Sequence, residues 1–221
     1  MNKTSLPPTL LAIILLLPII LLSGCLQEPF QLDGVEIRDY EGEDLSSIYD
    51  LRENSIKGTQ YIDKQNYTLT VSGLVNQPQT YSYNATLSTF NHYTKVVRLF
   101  CVEGWDVNIL WDGLLVSDII QASQPQDKAN TVIFTAYDGY TTSLPLEYIK
   151  SNDILLAFKM NNVTLPPQRG WPFQLVAESK WGYKWIKWVT DIQITDNENY
   201  KGYWERRGYS NNADLDKGYF E

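Results

Sequence analysis

The sequence predicts a β-rich domain of the α+β class, with short helices between its strands. Runs of β-forming residues recur along the chain and are separated by turns that contain glycine, proline or asparagine. Two short stretches between these runs carry apolar residues at helical spacing. The sequence contains no internal repeat and no low-complexity tract, so a compact arrangement of short elements is expected.

The predicted strands follow from residue type and alternation. Residues 67–73 alternate β-forming side chains at period two and end at Gly73. Further strands are predicted at 95–102, 131–136, 154–160, 173–178 and 185–194. Residues 81–89 fit either a second strand or the entry to a short helix.

Two short helices and three turns are predicted between the strands. Trp111-Asp112-Gly113 is interpreted as a turn that precedes a helix over residues 114–120. A brief second helix is predicted within residues 143–149, after a break at Asp138-Gly139. Asn161-Asn162 predicts the turn that ends strand 154–160.

The first residues predict an export signal. A single cation, Lys3, precedes an apolar run over residues 6–22, and small residues stand directly before Cys25. This order resembles the lipobox of prokaryotic lipoproteins, so we interpret residues 1–24 as a signal peptide and Cys25 as the lipidated residue. An uncleaved transmembrane helix is the alternative, and three prolines within the run argue against it. Either form tethers the globular part to the extracytoplasmic face of the cell membrane.

Composition and charge limit the function classes of the remaining chain. Residues 25–53 are acidic and polar, and we expect a tether that then wraps the domain. Residues 54–221 are enough for one domain with a substantial core. The formal net charge of −8 repels phosphate backbones, so nucleic acid is not expected as a partner.

Cys101 is the candidate centre of the chemistry. The chain contains two cysteines, and the export signal accounts for Cys25, so Cys101 remains unpaired in an exported protein. A reactive thiol, an intermolecular bond, a metal ligand and a buried structural thiol all fit this observation. His92 is the single histidine, and neither a Cys-x-x-Cys pair nor a phosphate-cradling glycine loop occurs. The acidic residues do not single out a glycosidase pair.

Six segments, in order, resemble the molybdopterin-binding domain of the sulfite oxidase superfamily. The similarity is strongest to its smaller bacterial and archaeal members and to the catalytic subunit of the periplasmic methionine sulfoxide reductases. The segments are 69–73 with Pro78, 98–105 (RLFCVEGW), 111–113 with 118–120, 138–146 (DGYTTSLPL), 165–172 (LPPQRGWP) and 181–188 (WGYKWIKW). The resemblance implies a sulfite-oxidase-like fold with mixed sheets and short helices, and an oxidoreductase that performs two-electron oxygen-atom transfer.

The resemblance assigns roles to two residues near the metal. It implies that Cys101 ligates molybdenum beside the dithiolene of one molybdopterin, and a soft thiolate suits such a metal. It also implies that Tyr140 faces the metal, where a phenol can donate a hydrogen bond or a proton. The alternative for Tyr140 is a structural role after the turn at Asp138-Gly139.

Four further residues are implied to bind the cofactor. Arg169, Lys184 and Lys187 are the cations in the segments that hold the cofactor phosphate in this family, and charge-assisted contacts to phosphate are strong. Solvated lysines on a strand edge are the alternative. Asn54 stands where the family places a polar residue over the pterin.

Two departures from the family pattern argue against sulfite as the substrate. Asp106 and Gln174 occupy positions where sulfite oxidases carry arginines that bind the anion, and a carboxylate there repels it. No haem-attachment motif occurs, so we expect electrons to be exchanged with a separate partner, for example a membrane cytochrome.

Two alternatives to a molybdenum enzyme stay open. A cofactor-free lipoprotein could retain the fold as a binding or accessory domain. A redox-sensing thiol at Cys101 is the other, and it requires an exposed thiolate.

Overall fold

A computed structural model describes residues 33–220 of the chain. The predicted signal segment and Cys25 lie outside these residues. Within the described part, none of the helices is both long and apolar enough to cross a membrane.

The described residues contain twelve strands and three α-helices. The strands are β1 (Asp39–Tyr40), β2 (Glu43–Asp44), β3 (Thr68–Gly73), β4 (Gln79–Ser82), β5 (His92–Phe100), β6 (Asp106–Leu115), β7 (Thr131–Ala136), β8 (Thr141–Pro145), β9 (Leu155–Met160), β10 (Val163–Thr164), β11 (Gln174–Val176) and β12 (Val189–Thr195). The helices are α1 (Tyr83–Thr89), α2 (Val116–Ala122) and α3 (Leu146–Ser151), and 3-10 turns occur at Pro167–Arg169, Gly182–Lys184 and Glu205–Arg207.

The strands form two five-stranded sheets and one small hairpin. The first sheet has the order β10-β9-β6-β5, with β11 also paired to β9, and all its pairs are antiparallel. The second has the order β4-β3-β12-β7-β8, in which β12 runs parallel to β3 and antiparallel to β7. The prediction of a β-rich α+β fold with a mixed sheet is therefore confirmed.

Burial explains why most strands were visible in the sequence. β7 and β9 are largely apolar, and five of the six residues in each are buried. β3 shows the alternation of a strand with one covered face, since Leu69 and Val71 are fully buried between more exposed neighbours. Residues 81–89 contain both predicted alternatives, the end of a strand and a short helix. β4 ends at Ser82, and the Ser82 hydroxyl caps α1 by accepting a hydrogen bond from the Ala85 N–H.

The predicted turn at residues 111–113 is wrong. These residues lie inside β6, where Trp111 is fully buried and donates its indole N–H to the Val97 carbonyl. Gly113 lies at an irregularity in the pairing of β6 with β9 and not at a turn. Glycine suits this position because a Cβ there would lie 2.9 Å from the Leu156 carbonyl oxygen. The following helix consequently begins at Val116, two residues later than predicted.

The acidic segment before the domain is more closely packed than its composition predicts. Leu45, Ile48 and Leu51 are buried against the domain. The Asn161 side-chain amide donates to the Ser46 carbonyl, and the Ser46 N–H donates to the Asn108 carbonyl. A few apolar residues therefore hold the described part of the wrap in place.

Lys184 is a structural residue and does not reach the cleft described below. Its side chain is fully buried, and its Nζ lies 2.6 Å from Oε1 of Glu205, which is also fully buried. The Nζ also donates to the Ser143 carbonyl at 3.0 Å, and Thr142 donates to the same Glu205 oxygen. The prediction that Lys184 binds a cofactor phosphate is therefore corrected, because its charge is used inside the core.

Replacing Lys184 with Met is expected to destabilise the domain by about 3–5 kcal/mol, because it leaves the Glu205 carboxylate buried without its cation. Urea unfolding measures the loss. The matched control is Lys128→Met, which removes an exposed pair with Asp196 and is expected to cost at most about 1 kcal/mol. A second change, Glu205→Leu, is expected to restore much of the stability of Lys184→Met. Equal losses for Lys184→Met and Lys128→Met would contradict the structural role.

Candidate functional site

A cleft of about 400 Å³ opens where loops from both sheets meet. Its walls come from six segments of the chain, residues 51–56, 99–105, 138–140, 168–174, 182–188 and 204–209. The thiol of Cys101 lies in this wall, with the side chains of Asn54, Tyr140, Arg169 and Lys187. The structure therefore brings together five of the six residues that were predicted to form the catalytic and cofactor site.

Cys101 is the first residue of a tight connection between two strands. β5 ends at Phe100, which pairs with Asp106 at the start of β6. The Cys101 N–H donates to the Trp105 carbonyl at 2.9 Å, and the Gly104 N–H donates to the Cys101 carbonyl at 3.1 Å. Gly104 has a φ of +82°, a conformation that glycine adopts without strain. This turn fixes the thiol at the strand end, as the sequence predicted.

Hydrogen-bond donors surround the sulfur. Burial is the main influence on the Cys101 thiol and raises its pKa, whereas the backbone N–H groups of Glu103 and Val102 lower it. The Glu103 carboxylate raises the pKa further, and the charge of Arg52 opposes it. The Asn54 side-chain nitrogen lies 3.9 Å from Sγ, within reach of a hydrogen bond to sulfur. A metal at this position would deprotonate the thiol, and the donors would then stabilise the thiolate.

Gly182 keeps the space beside the cysteine free. A Cβ at this residue would lie 3.1 Å from the Phe100 carbonyl oxygen and 3.6 Å from the Cys101 Cα. Glycine therefore lets the segment 182–185 approach the strand end without crowding the Phe100 carbonyl.

Arg169 and Lys187 line a second part of the cleft, called its basic end; neither is among the groups that shift the pKa of the Cys101 thiol. Arg169 donates its Nε–H to the Ile48 carbonyl at 3.0 Å, and Lys187 donates to the Gln168 carbonyl at 3.2 Å. Burial lowers the pKa of Lys187 to about 8, with an opposing effect from Glu53 and a further decrease from Arg169. Burial likewise lowers the pKa of Arg169, against the effect of Glu53. These two cations lie close together and are partly removed from water, so a bound anion would stabilise both charges.

Gln174 supplies an unsatisfied polar atom in the same wall. Its side chain is 3% exposed, and its Oε1 has no hydrogen-bond partner in the described structure. A buried carbonyl oxygen without a donor costs free energy unless a ligand supplies one. Gln174 also packs against Gly170, where a Cβ would meet the Cβ atoms of Gln174 and Lys187 at 3.1 and 3.0 Å.

Tyr140 lies in the cleft wall, but its hydroxyl already has a partner. The hydroxyl donates to the Tyr183 carbonyl at 2.6 Å, and the Tyr140 N–H donates to Asp138 Oδ1 at 2.9 Å. Burial, followed by the charge of Glu205, raises the pKa of Tyr140 well above its ordinary value. The phenol therefore keeps its proton at neutral pH, and both predicted roles, next to the cofactor and at the turn, are compatible with its position.

The charged residues of the cleft differ from those that the sequence predicted. Asp106 does not line the cleft, and its carboxylate pairs instead with Arg98 at 2.7 Å. The carboxylate nearest the thiol in the chain is Glu103, which does line the cleft. Arg52 and Glu53 also line it and were not predicted, because in the sequence they are one more pair of opposite charges in a polar segment. Their position directly before Asn54 was the available signal.

A molybdopterin cofactor fits the residues present. The cleft offers one soft thiol ligand, N–H donors around it, two desolvated cations and an amide oxygen that lacks a donor. Cys101 would hold the metal, Arg169 and Lys187 would hold the phosphate, and Asn54 and Gln174 would bind polar groups between them.

The family comparison agrees with this site. Residues 56–204 match the family model of the oxidoreductase molybdopterin binding domain. The uncharacterized oxidoreductase YuiH of Bacillus subtilis (strain 168) is 34% identical, over 70% of this chain and 77% of that protein. The protein-methionine-sulfoxide reductase catalytic subunit MsrP of Gluconobacter oxydans is 30% identical, over 60% of this chain and 48% of that protein. The chain thus spans about half the length of this second relative.

A solved structure supports the fold. The sulfane dehydrogenase SoxCD from Paracoccus pantotrophus superposes with a TM-score of 0.62 at 23% identity, over 69% of this chain and 43% of that chain. The predicted sulfite-oxidase-like fold is confirmed by this similarity. The family match covers most of the chain and includes four of the six segments of the cleft wall completely; only the ends of the first and last segments, residues 56 and 204, fall within it. This chain therefore belongs to the family of oxidoreductase molybdopterin binding domains and is an oxidoreductase of the sulfite oxidase superfamily.

Proposed function

We propose that this chain is a lipid-anchored molybdenum–molybdopterin enzyme that performs two-electron oxygen-atom transfer on a small substrate other than sulfite. The observation that carries the proposal is the two-ended cleft, with the donor-surrounded Cys101 thiol at one end and the desolvated cations Arg169 and Lys187 at the other. The net reaction is XO + 2H⁺ + 2e⁻ ⇌ X + H₂O, where XO and X are the substrate with and without the transferred oxygen atom, and it can run in either direction.

Each residue of the cleft has a part in this proposal. The bound cofactor supplies the metal centre that accepts and releases the electron pair. Cys101 holds the metal as a thiolate, and Asn54 with the nearby N–H groups offsets the thiolate charge. Arg169 and Lys187 bind the cofactor phosphate. Their basic end is anchored to the wrap through the Ile48 carbonyl, so the wrap helps to position the cofactor.

Tyr140 is proposed to hold a proton beside the reacting atoms. Its raised pKa keeps the phenol protonated, and its hydrogen bond to the Tyr183 carbonyl fixes the oxygen at the wall. The hydroxyl oxygen can still accept a hydrogen bond while it donates to that carbonyl. Rotation of the O–H toward the substrate oxygen would let it donate there instead.

Sulfite is disfavoured on revised grounds. Asp106 is paired with Arg98 outside the cleft, so its charge does not repel an anion at the thiol. Gln174 remains a neutral residue in the cleft wall, and Glu103 places a carboxylate close to Cys101. A doubly charged anion would meet a like charge near the thiol.

The proposed location and electron partner rest on the sequence. The lipobox-like residues before Cys25 support lipid anchoring at the extracytoplasmic face of the cell membrane. A separate electron-transfer partner, such as a membrane cytochrome, is proposed because the chain has no haem-attachment motif. Two relatives carry the word subunit in their names, which agrees with an enzyme that works with a partner.

Protein produced in a host that makes and inserts molybdopterin is expected to contain molybdenum and pterin in equal amounts, near one per chain. Cys101→Ser is expected to lose most of the molybdenum, because a hydroxyl is a poor substitute for a soft thiolate. Elemental and pterin analysis of both proteins provides the measurement.

The outcome separates the enzyme from a cofactor-free accessory domain. Thr94→Ala, an exposed change on β5 away from the cleft, serves as the control and is expected to retain full metal content. Wild-type protein without stoichiometric molybdenum would exclude the proposed chemistry and favour the accessory domain.

The pKa of Lys187 predicts a pH dependence for anion binding to the cofactor-free protein. Lys187 is charged below its pKa of about 8 and neutral above it, so its attraction for phosphate falls as the pH rises. If the charged form is required, the affinity for inorganic pyrophosphate is expected to fall about tenfold between pH 7 and pH 9. Calorimetric titration measures it, with background salt held constant.

Lys187→Met is expected to weaken pyrophosphate binding at pH 7 and to remove most of this pH dependence. Lys150→Met, an exposed lysine on α3, is expected to leave both unchanged. Persistence of the full pH dependence in Lys187→Met would contradict the assignment.

A further inference from the structure

Aromatic side chains and a carboxylate line the cleft together with the residues assigned to the cofactor. Four of them, Glu103, Trp105, Trp204 and Tyr209, are called the collar below. The rings of Trp204 and Tyr209 contact each other, with centroids 5.2 Å apart and planes inclined at 56°. Tyr209 also contacts Tyr183, which follows the glycine beside Cys101, and the Trp105 indole N–H donates to Glu103 Oε2 at 3.2 Å.

The C-terminal half of the collar is held rigidly. Trp204 directly precedes Glu205, whose carboxylate is buried with Lys184 and Thr142. The Tyr209 N–H donates to the Trp204 carbonyl at 3.3 Å, and the Tyr183 hydroxyl donates to the Ser210 carbonyl at 2.8 Å. These contacts keep both rings in place without a ligand, so the ordering cost of binding is small.

One residue of the collar lies outside the residues that match the family model. The match ends at residue 204, whereas Tyr209 belongs to the segment that follows. A side chain supplied by this segment is suited to determine what this chain accepts.

The charges of the cleft are separated. Arg169 and Lys187 are bound to the Ile48 and Gln168 carbonyls at the basic end. The collar itself contains no cation among its four residues. Arg52 is the remaining arginine in the described cleft wall, and its effect on the Cys101 thiol is smaller than that of the Glu103 carboxylate. A substrate group that lies against the collar therefore meets aromatic faces and a negative charge.

We propose that the collar binds the non-reacting part of an organic substrate and prefers a methylated cation to a neutral group, and a neutral group to an anion. Aromatic faces attract organic cations, and Glu103 adds a direct charge attraction. The proposal rests on the proposed function, because the reacting atom of this substrate must reach the metal held by Cys101. It adds the substrate class to that function.

Three probes with the same sulfoxide group isolate the effect of charge. They are methyl phenyl sulfoxide and its para-trimethylammonium and para-carboxylate derivatives. Calorimetric titration of the purified full chain, with molybdenum content recorded for the same sample, gives the three dissociation constants. The cation is expected to bind about tenfold more tightly than the anion, with the neutral probe between them.

Variants assign the preference to the collar. Glu103→Gln is expected to reduce the cation-to-anion ratio to about threefold or less, since the carboxylate is removed while its shape is kept. Trp204→Ala is expected to weaken binding of the cation by about tenfold. The matched control is Tyr93→Ala on β5, because Tyr93 is 38% exposed, close to the 37% of Trp204, and does not line the cleft. It is expected to change none of the constants.

Equal affinities for the three probes, tighter binding of the anion, or an unchanged ratio in Glu103→Gln would each overturn the collar proposal. Absence of binding by all three probes would overturn it as well. These outcomes are separate from the metal analysis. Stoichiometric molybdenum without a charge preference would overturn the collar proposal and leave the proposed function intact. A charge preference without molybdenum would overturn the proposed function and leave the binding preference of the collar intact.

Discussion

The position of the thiol depends on the tight connection between β5 and β6. Nine consecutive residue pairs hold these two strands in register up to Phe100 and Asp106, so the five residues between them have little freedom. The hydrogen bonds of the Cys101 N–H and carbonyl close this turn, and Gly104 provides the positive φ that it requires. As a result, Sγ lies at the end of a buried sheet and faces the N–H groups of the residues that follow it. These fixed dipoles offset part of the cost of burying a thiolate, although burial still raises the pKa of the thiol until a metal binds.

The rest of the cleft is arranged by charge around this turn. The described part of the wrap brings Arg52, Glu53 and Asn54 to the cleft and accepts a hydrogen bond from Arg169. Lys187 lies beside Arg169 and is desolvated, whereas Lys184, three residues earlier, points into the core and pairs with Glu205. Lys184 is the last residue of the 3-10 turn at Gly182–Lys184 and Lys187 lies beyond it, so one lysine serves the fold and the other serves the cleft. The buried pair also anchors the segment that carries Trp204, which links core stability to the shape of the cleft wall.

The sequence predicted β7 and β9 well because burial leaves a direct record in largely apolar runs, but it missed β8, whose end overlaps the helix predicted within residues 143–149. It failed at Trp111-Asp112-Gly113, where residues typical of a turn lie inside β6 and the glycine is required by close packing against β9. Cys101, Asn54, Arg169 and Lys187 were placed together only through the resemblance to a family, since they are far apart in the chain. Local sequence could not distinguish Lys184 from Lys187, because both are lysines in one aromatic segment and only the position of Glu205 decides between them. The pairing of Asp106 with Arg98 was equally invisible, because it depends on the register of β5 and β6.

The central claim is that the Cys101 sulfur is a ligand of molybdenum. X-ray absorption at the molybdenum edge tests it most directly, on wild-type protein and on whatever cofactor-loaded fraction of Cys101→Ser can be isolated. The wild type is expected to show sulfur scattering from the cysteine in addition to the dithiolene pair, and the variant is expected to retain the dithiolene contribution alone. An identical sulfur shell in the two proteins would contradict the account, since the metal would then be held without Cys101.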